Sequence, residues 1–103
     1  MIDRARLEEL REEVGVDDFP EVIGLFCEEV AETLDRMMQG HSSSIADDLH
    51  FLKGSALNIG MSEVASLCAS GEAMIRSDGT ASPDIGGIKI AFDKAQIELR
   101  QRP

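Results

Sequence analysis

Residues 19–38 carry the feature that most limits what this chain can become. Phe19, Val22, Ile23, Phe26, Val30, Leu34 and Met37 recur at spacings of three and four, with Cys27 and Met38 at the edge of the stripe, while Glu21, Glu28, Glu32, Asp35 and Arg36 take the opposite side. Side chains three and four apart share one face of an α-helix, so this stretch is a long amphipathic helix with one face to bury.

The same period recurs along the chain. Leu7, Leu10 and Val14 oppose Glu8, Glu9, Glu12 and Glu13 in a short first helix, which Asp3 caps and Gly15 ends. Asp17 or Asp18 caps the long second helix, with Pro20 in its first turn, where a missing N–H does no harm. Gly40-His41-Ser42-Ser43-Ser44 is a loop whose serines offer a cap for a third helix, and Ile45, Leu49, Leu52, Ala56 and Ile59 form its narrow apolar arc. Gly60 ends that helix. Ser62 and Glu63 start a fourth, with Val64, Leu67, Cys68, Gly71, Met74 and Ile75 as its apolar face. After the loop at 77–82, Ser82-Pro83-Asp84 signals a fifth start, with Ser82 as cap and Pro83 at the first helical position. Ile85, Ile88, Phe92, Ala95 and Leu99 then make an a/d-like seam, and the end, Arg100 to Pro103, is expected to fray. No alternating strand pattern and no internal repeat interrupts this. The expected fold is all-α: an antiparallel up-down-up-down four-helix bundle, with the short N-terminal helix across or beside one end.

A chain of 103 residues suits a single domain spanning residues 1–103, with one modest core. No run approaches the ~18 apolar residues of a membrane span. The start, Met1-Ile2-Asp3-Arg4, lacks the apolar region of a signal peptide and points to the cytoplasm. Cys27 and Cys68 sit on apolar helix faces without C-x-x-C spacing, as small hydrophobes do. The net charge of −10 is uneven: residues 1–35 carry twelve acids and three bases, and residues 36–103 eight acids and seven bases. Such a chain repels phosphate backbones, which argues against nucleic-acid binding.

His50 lies away from the apolar arc of the third helix. On its own face come Lys53 at i+3, Gly54 at i+4, Leu57 at i+7 and Ala46 one turn before. An imidazole therefore stands on a helix surface beside a cation and beside a missing side chain. Glycine in mid-helix costs about 1 kcal/mol relative to alanine, and close approach by another molecule is a reason to keep it there.

The run His50-Phe51-Leu52-Lys53-Gly54-Ser55-Ala56, followed by Ile59-Gly60 and by Leu67-Cys68, resembles the signature of histidine-containing phosphotransfer (HPt) domains of multistep phosphorelays. The resemblance implies the same helical-bundle architecture. It implies that His50 is the phosphoacceptor through Nε2, that Lys53 steadies the phosphate and that Gly54 leaves room for it. The implied partners are response-regulator receiver domains or a hybrid sensor kinase, with Mg²⁺ and the phosphorylated aspartate on the receiver and no cofactor on this chain. Helix geometry adds Ala46 and Leu57 as an apolar docking surface on the His50 face.

A neutral imidazole is a good nucleophile toward phosphorus, and the resulting phosphoramidate can pass its phosphoryl group on. The chain carries no G-x-x-x-x-G-K-[ST], no Gly-rich kinase loop and no conspicuous Mg²⁺ carboxylate cluster, so it reads as a phosphorelay intermediate rather than an enzyme with ATP chemistry of its own. The alternative is a helical interaction module that docks a partner through the His50 face without chemistry. Ser55 turns away from His50 and suits a structural role. Glu72 and Arg76 on the fourth helix reach the His50 region if that helix packs beside the third, and are otherwise solvated. His41 belongs to a Ser-rich loop, and no further His or Cys joins it at ligand spacing. A monomer is expected, since every apolar stripe can be used inside one bundle. The chain reads as a free-standing domain, although a segment of a hybrid kinase would look the same.

Overall fold

In a computed structural model that describes residues 2–100, the chain forms five helices: α1 (Arg4–Val14), α2 (Phe19–Met38), α3 (Ile45–Asn58), α4 (Ser62–Ser77) and α5 (Ile85–Arg100). Helices α2 to α5 close a ring of contacts, α2 on α3, α3 on α4, α4 on α5 and α5 back on α2, while α1 packs on α2 and α3. Val30 and Leu34 of α2, Leu49, Leu52 and Ala56 of α3, Val64 and Cys68 of α4, and Phe92 of α5 meet in the core. The N-terminal half of the α2 stripe, Phe19, Val22, Ile23 and Phe26, is only half-buried. No helix among the described residues is long and apolar enough to cross a membrane.

Local chemistry sets most helix ends. Asp3 accepts from the Arg6 N–H at 3.1 Å and Ser44 from the Asp47 N–H at 3.2 Å, each satisfying an amide that the first turn leaves open. Asp18 stands at the N-cap of α2 but its carboxylate makes no capping bond. Two expectations change. The fifth helix begins at Ile85, and its cap is Asp84, whose carboxylate accepts from the Gly87 N–H at 2.9 Å. Ser82 and Pro83 therefore lie before the helix, because a carboxylate two residues later offers the stronger acceptor. On α4, Leu67 and Met74 are exposed and Ala65 is buried in their place. This helix packs closely on α3, and a Cβ at Gly71 would lie 3.0 Å from Leu49 Cδ1 and 3.2 Å from Pro83 Cβ. Small residues fill that contact and the large ones turn outward.

Gly60 joins α1 to the turn between α3 and α4. Its φ is +72°, and a Cβ there would meet the Asp3 carbonyl oxygen at 2.7 Å. The Asp3 N–H donates to the Gly60 carbonyl at 2.7 Å, and Ile2 pairs with Met61 in a single antiparallel bridge. From α1, Arg6 adds bonds to the Asn58 carbonyl and to Asn58 Oδ1, both at 3.2 Å, placing a cation at the C-terminal end of α3. Gly60→Ala meets both the φ penalty and the close backbone contact, so it is expected to cost about 2 kcal/mol of stability. Urea denaturation measures this; an unchanged midpoint would show that the close approach relaxes freely.

Candidate functional site

Leu49 and Leu52, both inaccessible to solvent, anchor α3 on either side of His50 and turn the imidazole outward, where it is 73% exposed. Asp47 and Asp48 lie in the first turn of α3, where acids suit the helix dipole. Asp48 also accepts from Ser42 Oγ at 2.6 Å and lies 3.6 Å from Arg36, which ties the preceding loop and α2 to this helix.

The residues singled out in the sequence share one surface. Lys53 is 30% exposed, while Ala46, Gly54 and Leu57 are exposed on the same side of α3. A Cβ built on Gly54 meets nothing within 4 Å. The chain's own packing thus gives no reason for glycine at this position, and the space lies open to another molecule. Beside Lys53, a shallow hollow of about 320 Å³ runs between α3 and α4, with Leu57 on one wall and Ala65, Ser66 and Ala69 on the other. Ser55, 6% exposed, is turned inward. His41 is exposed in its loop, and Arg76 is exposed and makes no ion pair among the described residues.

Glu72 is the residue whose importance sequence reasoning left open. From α4 its carboxylate reaches both candidate side chains of α3: Oε2 lies 3.3 Å from His50 Nδ1, and Oε1 lies 3.0 Å from Lys53 Nζ. The Glu72 side chain is only 12% exposed. Burial by itself would raise its carboxyl, but the hydrogen bonds and charges of Lys53 and His50 outweigh burial and hold it below the usual glutamate value. An ionised carboxylate can only accept, so the proton of the shared bond belongs to His50 Nδ1. In a neutral imidazole the lone pair then resides on Nε2, the nitrogen on the other side of the ring. One signal was available: Met61, in the short turn, lies eleven residues from both His50 and Glu72, so an antiparallel helix pair brings the two level.

Both thiols are free. Burial, with Glu72 adding to it, pushes the Cys68 thiol up to about 12, and burial also raises Cys27. Neither is a thiolate near neutral pH, as their apolar positions led one to expect.

The arrangement is an exposed imidazole with a fixed proton on one nitrogen and a free lone pair on the other, a cation beside it and open space one turn away. It suits nucleophilic attack on a phosphoryl group brought by another molecule. Neither the curated proteins nor the solved structures give a match to the chain. The family model of the Hpt domain matches residues 21–101. That span takes in α2 from Glu21 onward, α3 to α5 and the whole His50 surface, and the chain belongs to the Hpt domain family, the helical modules that carry out histidine phosphotransfer in phosphorelays.

Proposed function

We propose that this chain accepts a phosphoryl group on His50 Nε2 from the phosphorylated aspartate of a receiver domain and returns it to another receiver. The observation that carries the reading is the His50–Glu72–Lys53 cluster beside the empty position at Gly54. The Nε2 lone pair forms the new N–P bond as the aspartyl O–P bond breaks, and the aspartate leaves as a carboxylate. With Nδ1 still protonated, the ring becomes cationic, and the Glu72 carboxylate at 3.3 Å steadies that charge. Lys53 takes up charge on the equatorial oxygens. Gly54 admits the phosphoryl group and the receiver's catalytic edge, while Ala46 and Leu57 form the apolar contact around it.

The Mg²⁺ belongs to the receiver, and this chain contributes no metal ligand or nucleotide site. The four helices α2 to α5 are read as an antiparallel up-down-up-down bundle within one domain, acting as a monomer in the cytoplasm. Incubation with a labelled phospho-receiver tests the reading: acid-labile, alkali-stable label should move to this chain. Failure with a panel of receivers would leave a docking module without chemistry.

Two variants separate the roles of the charged pair. Lys53→Ala should slow transfer about tenfold, because one of the charges that offsets the transition state is gone. Glu72→Ala should slow it by a similar factor of about ten, because the ring loses both its fixed tautomer and its counter-charge. Stopped-flow transfer kinetics would read both, and rates equal to the parent would remove the residue from the mechanism. Glu72 also has a pH signature. A carboxylate held below its ordinary value stabilises the fold fully above pH 4.5 and loses that contribution as the pH falls through the lowered value. Acid unfolding of Glu72→Ala should therefore show a shallower loss of stability below pH 4.5 than the parent; parallel curves would contradict the pairing.

A further inference from the structure

Away from His50, a groove of about 1090 Å³ runs between α1, α2 and α5, and none of its lining residues belongs to α3 or α4. Contacts run around the ring of α2 to α5 and not across it, so the α2–α5 side of the ring faces away from the α3–α4 side that carries His50 and Glu72. Leu7, Phe19, Ile23, Cys27 and Leu99 give the groove an apolar floor. Its volume exceeds the usual range for small-molecule pockets and suits a helix laid along it.

Two observations point to an occupant. The first is Gly24, in the middle of α2 and in the wall of the groove, where a Cβ would meet nothing within 4 Å. Like Gly54, it weakens its helix without any packing need inside the molecule, and it keeps a path open along the floor. The second is charge. Residues 1–35 carry only three bases against twelve acids, yet two of the three, Arg4 and Arg11, line this groove, and Arg100 joins them from the end of α5. Against them stand Glu8, which pairs with Arg11 at 2.8 Å, and Glu28. Among the described residues Arg100 makes no ion pair. A strongly acidic chain thus presents a groove with a positive balance.

We propose that this groove is a second docking site, which takes an amphipathic helix with an acidic flank from a protein partner while the His50 face stays free. Apolar residues at i, i+3, i+4 and i+7 of that helix fill the floor, and its acids meet Arg4 and Arg100.

The test uses the full chain, ¹⁵N-labelled, and a synthetic peptide of about four helical turns with leucines along one face and glutamates beside them. Amide shifts at Leu7, Ile23, Gly24 and Leu99, with none at His50, are expected. Gly24→Leu, which should fold at least as well as the parent, and Arg100→Glu should each weaken binding about tenfold. Equal binding of a version with lysines in place of the glutamates would overturn the proposal, as would shifts centred on the His50 face or no shift at millimolar peptide. Concentration-dependent shifts at the same amides without peptide would replace the proposed partner by a second copy of the chain. Phosphoryl acceptance, measured on the same samples, is expected to be unaffected by the peptide and by both variants, so the two readings stand or fall separately.

Discussion

His50→Gln is expected to abolish phosphoryl acceptance, leaving no label above background, while the helical content and unfolding midpoint stay within error of the parent. Glutamine keeps a polar side chain of similar length on an exposed helical position, and the imidazole it replaces makes one described hydrogen bond, to Glu72. Surface substitutions of this kind usually change stability by no more than about 0.5 kcal/mol. The chemistry, by contrast, has no substitute, since a carboxamide nitrogen holds its lone pair in resonance and does not attack phosphorus. Phosphorylation assays from a labelled receiver, alongside circular dichroism, measure both halves. Label of parental intensity on the variant would move the acceptor to another residue.

Gly54→Leu is expected to separate stability from transfer in opposite directions. Nothing lies within 4 Å of a Cβ at this position, and leucine is a better helix former than glycine, so the variant should gain about 0.5–1 kcal/mol of stability. The same side chain projects one turn from His50 into the space a phosphoryl group and its carrier must enter. A misplacement of about 1 Å at a reacting centre costs on the order of a hundredfold, and transfer should fall by at least that factor. A fold that is more stable and almost inactive would tie the glycine to an intermolecular need. Parental transfer rates in the stabilised variant would end the clearance argument.

Much of this was legible because the sequence punctuates its helices with residues that have a single conformational reason to be there. Gly15 and Gly60 were expected ends, and both adopt positive φ. The arc of α3 was legible because it is narrow: Leu49, Leu52, Ala56 and Ile59 are all inaccessible to solvent, which leaves little choice about where His50 points. The apolar face of α4 was less so. Hydrophobicity favours Leu67 and Met74, but the close approach of α3 and α4 favours Ala65, Cys68 and Gly71, and that closeness is a property of two helices rather than of one. Glu72 escaped a firm assignment for the same reason, since its value depends on register across that contact. The start of α5 turned on competition between two nearby caps, Ser82 and Asp84, which the carboxylate wins as the stronger acceptor. The α1–α2–α5 groove has no one-dimensional signature at all, apart from the mid-helix Gly24.

The most direct test of the central claim is to locate the phosphoryl group itself. The chain would be phosphorylated by a phospho-receiver and its imidazole nitrogens followed by ¹⁵N–³¹P correlated NMR at neutral pH. The account predicts one phosphorus coupled to Nε2 of His50, with Nδ1 still protonated and bonded to Glu72. Phosphorus on Nδ1 of His50, on His41, or on a carboxylate would contradict it, because the Glu72 carboxylate that fixes the tautomer would then be guarding the wrong nitrogen or the wrong residue.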